Sequence, residues 1–199
     1  SIASNPDSDD YYMPEMAYTV SLQEYLLEQL GTCQASEEEK TLISYLIGDI
    51  DENGYLVSSL SELSELVSQA LGKAVEVQEL EHALYILQGF EPAGIAARTL
   101  AECLLLQLDL NRLSIRPDEQ VLECARQICQ YDLEALAKAD IERLCSLTQA
   151  ETEQIRQAHH LIKQLDPRPG KAWSTGVADF AIPDVLARLH EGEWVLMLN

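Results

Sequence analysis

The sequence predicts an all-α protein of two related helical-bundle subdomains with a small C-terminal β-hairpin. Leu and Ala are abundant, whereas the 199 residues include only two Phe and two Trp, a composition that favours helix over sheet. A pattern of helix and stop over residues 79–92 recurs over residues 154–167, which indicates a duplicated unit. The apolar period changes from about 3.6 residues to 2 only beyond Gly170.

The repeat relates ELEHALYILQGFEP to QIRQAHHLIKQLDP, 75 positions later. Apolar residues fall at i, i+3 and i+7 in both copies, as on the buried face of an amphipathic helix. Each copy ends in an acid and a proline, Glu91-Pro92 and Asp166-Pro167. Proline disfavours a helical conformation in the preceding residue and has no N–H to donate, so both helices must stop there. The equivalent apolar pairs are Leu80 and Ile155, Ala83 and Ala158, Ile86 and Leu161, Leu87 and Ile162, and Phe90 and Leu165.

Residues 1–20 are acidic, contain proline and lack periodicity, so we expect a flexible linker. The first subdomain, residues 21–110, is predicted to hold five helices. Two of them begin at a serine three residues before a glutamate, the capping-box pattern, at Ser21 and Ser59. Another begins at Ser36 with three glutamates in its first turn, where the helix dipole favours them, and the fourth helix is the first copy of the repeat. Their predicted spans are 21–31, 36–50, 59–72, 78–89 and 95–108.

The second subdomain, residues 111–180, follows a boundary at 109–116. Pro117 suits the first turn of a helix, and Thr148, three residues before Glu151, is predicted to cap the second copy of the repeat. Residues 181–199 alternate apolar and polar side chains on either side of Glu191-Gly192, as in a β-hairpin. The other predicted spans are helices at 117–130, 133–138 and 140–147 and strands at 184–190 and 193–198.

The charge is strongly negative and unevenly distributed, with a formal net charge of −21. Residues 1–97 hold 18 acids and only two bases, for −16, whereas the remainder holds 16 acids and 11 bases, for −5. Such a surface repels phosphate and lacks the basic footprint of a stand-alone nucleic-acid binder. Solubility alone explains this charge, and complementarity to a basic protein partner is the more specific interpretation.

Cysteine usage and hydropathy bear on the cellular compartment. The five cysteines form an odd number without a CxxC pair and mostly lie among apolar helical neighbours, so we expect small buried residues instead of disulfides. No run approaches the roughly 18 apolar residues that cross a bilayer, and the N-terminus has no basic-then-apolar signal pattern. We therefore expect a cytoplasmic protein that has no membrane partner.

The two loops behind the acid–proline stops are the candidate contact residues. Two prolines stiffen residues 166–170, so Arg168 is held outward with little entropy left to lose on binding. Arg98, in the other loop, is the first base after Lys73. The alternative is that both loops are rigid turns that only pack the lobes. The candidates are Phe90, Glu91, Pro92, Gly94, Arg98, Asp166, Pro167, Arg168, Pro169 and Gly170.

The segment DIDENGYL, residues 49–56, matches the first two-thirds of a calcium-binding EF-hand loop. An EF-hand needs a bidentate Glu at loop position 12, because calcium takes about six to eight oxygen ligands. That position is Leu60 here, and position 9 is Val57. Asn53-Gly54 more simply supplies residues that tolerate positive φ in the turn after a helix. A calcium-responsive or other acidic helical adaptor stays as the alternative function.

We predict no enzyme activity, metal or cofactor. His159 and His160 are adjacent and point about 100° apart on a helix, whereas two metal ligands on one face need i, i+4 spacing. P-loop, G-x-S-x-G and dinucleotide motifs are absent from the sequence. The helices at 62–71 and 78–89 could form a helix-turn-helix-like pair, but the second offers Glu79, Glu81, His82 and Gln88 instead of a base-reading set of Arg, Lys, Asn or Gln side chains. A DNA-binding regulator is therefore disfavoured.

Five segments together resemble one known family, the sigma-54 class of bacterial RNA polymerase sigma factors, in its core-binding region. The resemblance covers residues 21–199, and residues 1–20 resemble the variable linker that precedes that region. FEPAGIAAR and LDPRPG, followed by IPDV, are its most specific motifs. The segments are LQEYLLEQL, IDENGYL, LQGFEPAGIAARTLAECLLLQL, IKQLDPRPG and IPDVLARLHEGEWVLMLN.

The resemblance implies a mainly helical, monomeric fragment that binds core RNA polymerase and is not itself an enzyme. The family's Gln- and Leu-rich activator-responsive segment, its promoter-reading helix-turn-helix and its ARRTVAKYRE-like box are not found in these residues. Contacts with promoter DNA and with the ATP-driven activator are accordingly expected only through parts of the intact protein that are absent here. The acidic first lobe is expected to face basic polymerase surface.

Overall fold

The computed structural model describes residues 20–173, together with the backbone of residues 185–190 and 193–198. The predicted linker at 1–20 lies almost wholly outside the described residues. Nine α-helices lie in the described part, which confirms a mostly helical protein. They are α1 Leu22–Thr32, α2 Glu37–Gly48, α3 Leu60–Leu71, α4 Val77–Leu87, α5 Leu100–Gln107, α6 Glu119–Tyr131, α7 Leu133–Ala137, α8 Ile141–Thr148 and α9 Thr152–Lys163.

Helices α1 to α4 enclose the first hydrophobic core. Their starts follow the sequence closely, because the side chains of Ser21, Ser36 and Ser59 each accept the backbone N–H of the glutamate three residues later at 3.2 Å. Gly72 ends α3 with a left-handed φ of 66°, a conformation that costs glycine nothing. The largest fully buried side chains of this core are Leu26, Ile43, Leu46, Ile47, Leu80, Leu87 and Ile95.

Helices α5 to α9 enclose a second core. Leu104 and Leu108 pack in it, so the buried face of α5 belongs with the helices that follow it. The sequence prediction instead grouped this helix with the first subdomain, and a domain boundary near residue 110 stays a prediction. The fully buried large side chains of the second core are Leu108, Leu122, Ile128, Leu144 and Ile155.

The repeated positions have the same role in α4 and α9. Leu80 and Ile155 are at most 1% exposed, and Ala83 and Ala158 are fully buried. Each helix also ends in the same way, with two short-range backbone hydrogen bonds that tighten the last turn before the acid and the proline. The donors and acceptors are Gly89 to Ile86 and Phe90 to Leu87 in α4, and Gln164 to Leu161 and Leu165 to Ile162 in α9.

Three helix starts differ from the prediction. Helix α6 begins at Glu119 with Asp118 as its N-cap, so Pro117 precedes the helix and is not in its first turn. The predicted helix at 95–108 begins only at Leu100, because the backbone at Ala96 and Ala97 bonds to the turn at residues 54–56 instead of to a helix. Thr148 is the last residue of α8 and does not cap α9. Glu151 is the N-cap of α9, in a capping box with Gln154, whose side-chain oxygen accepts the backbone N–H of Glu151 at 3.0 Å.

Strands β1, Val185–His190, and β2, Glu193–Leu198, pair antiparallel with Val185 opposite Leu198. The predicted hairpin extension as a whole, residues 181–199, includes residues outside the described part and stays a prediction. Among the described helices, none has the length and apolar character required to span a bilayer.

Candidate interaction site

The turn at residues 49–56 is the centre on which both acid–proline loops converge. Asp49 follows α2, and its carboxylate accepts the backbone N–H of Val57 at 3.0 Å and of Ser58 at 2.8 Å. Asp51 accepts the N–H of Asn53 at 2.9 Å and that of Tyr55 at 3.0 Å. The acids that resemble EF-hand ligands therefore hold the backbone of the turn.

The loop at residues 92–98 pairs with this turn through its backbone. Ala96 donates to the carbonyl of Gly54 at 2.8 Å, and Leu56 donates to the carbonyl of Ala97 at 3.0 Å. Gly94 is buried against α5 with a φ of 90°, and a Cβ there would lie 2.7 Å from Nε2 of Gln107. Glycine is thus required both by conformation and by space.

The loop at residues 166–170 packs against the same turn from the second lobe. The N–H of Gly170 donates to the carbonyl of Asn53 at 3.0 Å. A Cβ on Gly170 would lie only 2.6 Å from the backbone nitrogen of Gly54, so the two glycines touch backbone to backbone. Pro169 and Gly170 are buried, whereas Asp166, Pro167 and Arg168 are exposed.

Two contacts made by aromatic residues strengthen the packing of the loop at 166–170 against the first lobe. The hydroxyl of Tyr55 donates to the carbonyl of Pro167 at 2.7 Å. Burial, together with the neighbouring thiol of Cys103, raises the pKa of Tyr55, so the hydroxyl remains a hydrogen-bond donor at neutral pH. The rings of Tyr25 and Trp173 stack with centroids 5.2 Å apart, which ties the end of the second loop to α1.

The two candidate arginines are in different environments. Arg98 forms two side-chain hydrogen bonds to Glu102, at 3.0 and 2.7 Å, and is therefore committed to α5. Burial alone raises the pKa of Glu102, but the hydrogen bonds from Arg98 and Gln88 outweigh it and leave that pKa lowered. Arg168 is exposed, and its guanidinium makes no ion pair with any residue from 20 to 173.

The remaining candidates divide between core and surface. Phe90 is buried in the first core, Glu91 is exposed and Pro92 is partly buried. Sequence reasoning did not find Gln29 and Gln107, whose side chains bond the backbone of Glu91 and Asp166. The sequence signal that could have identified these two glutamines is a motif shared by α1 and α5.

An open groove lies beside the first loop, and the sequence analysis did not predict it. Its volume is about 490 Å³, and it runs between Ala93, the segment 112–118 and the exposed side of α9. Arg112 at its edge donates to the carbonyl of Gln88 at 3.0 Å, and Ile115 is 78% exposed. The groove therefore has a mixed polar and apolar lining, and the Arg112 side chain at its edge is already held by a backbone carbonyl.

Reactive chemistry has little support in the described residues. Residues 20–173 contain no group of three His, Cys, Asp or Glu side chains placed to hold a metal ion. All five cysteines are free; Cys103, Cys124 and Cys129 are buried, whereas Cys33 and Cys145 are partly exposed, which corrects the expectation for those two. Burial raises the pKa of Cys129 to about 12, so its thiol is a weak nucleophile at neutral pH.

The fold and these loops define a helical module that presents stiff, backbone-anchored turns. Residues 11–199 match the model of the sigma-54 factor core binding domain. The chain belongs to this family.

Several relatives named RNA polymerase sigma-54 factor are similar to most of the chain. The Salmonella typhimurium protein is 36% identical over 181 residues, which is 91% of this chain and 36% of that protein. The Escherichia coli protein is 34% identical over the same shares of both chains. The Azotobacter vinelandii protein is 37% identical over 90% of this chain and 34% of its own length. The chain thus spans about a third of the length of these relatives.

Proposed function

We propose that this chain is the part of a sigma-54 type initiation factor that binds core RNA polymerase and tethers the promoter-specificity factor to it. The observation that carries the proposal is the family match over residues 11–199. Contacts with promoter DNA and with an ATP-driven activator would then be made by other parts of the longer protein. The chain itself would act by binding alone, as a monomer without catalysis.

The contact surface is proposed to include the exposed parts of both acid–proline turns. Arg168 supports this role, because it is exposed, unpaired within residues 20–173 and carried on a loop whose next two residues are buried. Arg98 supports it less, because Glu102 already holds its guanidinium. Phe90, Pro169 and Gly170 would contribute by fixing the loops and not by touching the partner.

The acidic surface of the first lobe supports an electrostatic part of the interaction. Residues 1–97 carry a formal charge of −16, and a basic polymerase surface would complement it. Screening at about 0.15 M salt acts over roughly 8 Å, so we expect the affinity to fall as salt rises. An affinity that does not change with salt would remove this part of the proposal.

The test is co-purification of the chain with sigma-free core enzyme, followed by an affinity measurement. Arg168→Ala is expected to weaken binding severalfold, whereas Arg116→Ala, an exposed arginine that is not part of either acid–proline turn, is the control. A wild-type chain that does not associate with core enzyme would refute the function. Equal binding by a folded Arg98→Ala/Arg168→Ala variant would leave the loops as packing turns only.

The alternative functions lack support from the geometry. Both carboxylate oxygens of Asp49 already accept hydrogen bonds from residues 57 and 58, so calcium would have to break the turn to bind there. On α4, His82 bonds to Glu39 at 3.0 Å, which commits part of the surface that a DNA-reading helix would need.

A further inference from the structure

Each acid–proline turn is held by one glutamine side chain that bonds both backbone groups of the acidic residue. Nε2 of Gln29 donates to the carbonyl of Glu91 at 2.7 Å, and the N–H of Glu91 donates to Oε1 of Gln29 at 2.8 Å. Gln107 makes the same two bonds with Asp166, at 2.7 and 2.8 Å. A primary amide suits this task because it carries a donor and an acceptor side by side.

The two glutamines occupy equivalent places in the sequence. LQEYLLEQL at residues 22–30 and LAECLLLQL at residues 100–108 share the pattern L-x-E-x-L-L-x-Q-L, 78 positions apart. The structure supports this alignment at the helix starts, because the hydroxyls of Ser21 and Thr99 both accept the N–H of the glutamate three residues on, at 3.2 and 3.1 Å. Helix α5 is therefore the counterpart of α1.

The last helices of the two cores are equivalent as well. Glu76 and Glu151, 75 positions apart, are the N-caps of α4 and α9, and each forms a capping box with the residue three positions later. Each core therefore runs from a helix with the shared pattern to an acid–proline turn. The glutamine of the first helix bonds the turn that follows the last helix of the same core.

We propose that the chain duplicates a four-helix unit, α1–α4 and α5, α6, α8 and α9, and that Gln29 and Gln107 are the positioning residues of its two turns. Helix α7 is an insertion in the second copy. The inference rests on the proposed function only where it concerns polymerase. Gln107 is buried and would need some partner in any fold, but Gln29 is partly exposed and could have bonded water. Both glutamine side chains nevertheless bond the same two backbone groups, the N–H and the carbonyl of the acidic residue in their turn.

The experiment compares Gln29→Leu and Gln107→Leu with Gln127→Leu, a partly buried glutamine whose side chain donates to Glu123 one turn earlier in α6. Hydrogen exchange is followed at two amides that donate to backbone carbonyls and not to the glutamines. These are Ile95, which bonds to Pro92, and Gly170, which bonds to Asn53.

If the glutamines position whole turns, Gln29→Leu should speed hydrogen exchange at the amide of Ile95 by about tenfold. Gln107→Leu should speed exchange at the amide of Gly170 by about the same factor, and Gln127→Leu should change neither rate. Exchange like that of wild type at Ile95 in folded Gln29→Leu would overturn the positioning role. Because Gln29 is partly exposed, that variant keeps the test decisive even if Gln107→Leu does not fold.

Affinity for core enzyme is measured on the same variants. Weakening of about fivefold to tenfold, absent from the control, supports the link between the turns and polymerase. Faster exchange with unchanged affinity would overturn that link. Failure of the wild-type chain to bind core enzyme would instead refute the proposed function, and the exchange data would still decide the positioning role.

Discussion

Replacing Gly170 by alanine tests whether backbone-to-backbone packing joins the second loop to the central turn. A Cβ at this position would lie 2.6 Å from the nitrogen of Gly54, 2.8 Å from the carbonyl carbon of Asn53 and 2.9 Å from the carbonyl oxygen of Glu52. All three neighbours are backbone atoms, which cannot rotate away as a flexible side chain would. The loop must therefore move off the turn.

The cost follows from the contacts that this movement would weaken. Overpacking costs about 1–3 kcal/mol. The hydrogen bonds from Gly170 to Asn53 and from Tyr55 to Pro167 contribute roughly 1 kcal/mol each, and part of both would be lost. We expect Gly170→Ala to lower the free energy of unfolding by about 2–4 kcal/mol.

The assay is urea unfolding followed by circular dichroism and tryptophan fluorescence, since Trp173 lies three residues from the substitution. Gly48→Ala is the matched control: it ends α2, and no heavy atom lies within 4 Å of the added Cβ. Alanine there is expected to stabilise by roughly 0.5 kcal/mol, since it restricts the unfolded chain more than glycine does. A Gly170→Ala protein as stable as wild type would refute the close packing.

Three further outcomes follow from the site. Asp49→Ala is expected to lower the free energy of unfolding by about 1–3 kcal/mol in urea, with calcium changing neither protein's midpoint. The pKa of Glu102 is lowered from its ordinary value of 4.5, so its ionised form stabilises the fold above pH 4.5, and this stability is lost as the pH falls through the pKa of the folded state. Glu102→Gln should therefore be less stable than wild type at pH 7, and the urea midpoints of the two proteins should converge below pH 4.5. A thiol reagent should modify Cys33 and Cys145 in the native protein and reach Cys129 only on unfolding.

Helix starts were predictable because their determinants are local. A serine hydroxyl at Ser21, Ser36 or Ser59 needs only the next three residues to complete its cap. The start of α5 was not predictable in this way, because Ile95–Ala97 has helical periodicity but pairs with a turn some 40 residues earlier. Local propensity favours a helix at these residues, but their long-range backbone hydrogen bonds prevent it.

The candidate site was predictable in outline only. The acid–proline pairs located the ends of α4 and α9 to within a few residues, because the effect of proline on the preceding residue is local. The burial of Pro169 and Gly170 could not be predicted, because it results from their contacts with the turn at 49–56. These contacts join segments more than 100 residues apart in the sequence. The pairing of Arg98 with Glu102 was within reach of the sequence, since it is an i, i+4 pair.

The likeness of residues 49–56 to an EF-hand loop has a physical cause of its own. Both kinds of loop follow a helix, turn sharply at a glycine and use aspartates to order a short backbone segment. In this chain Gly54 has a φ of 96°, and the aspartates accept N–H groups at Asn53, Tyr55 and Val57. The same residue types thus solve a folding problem that needs no ion. The turn at residues 49–56 does not use its surface as a calcium site but packs against the loops at 92–98 and 166–170, one from each half of the chain.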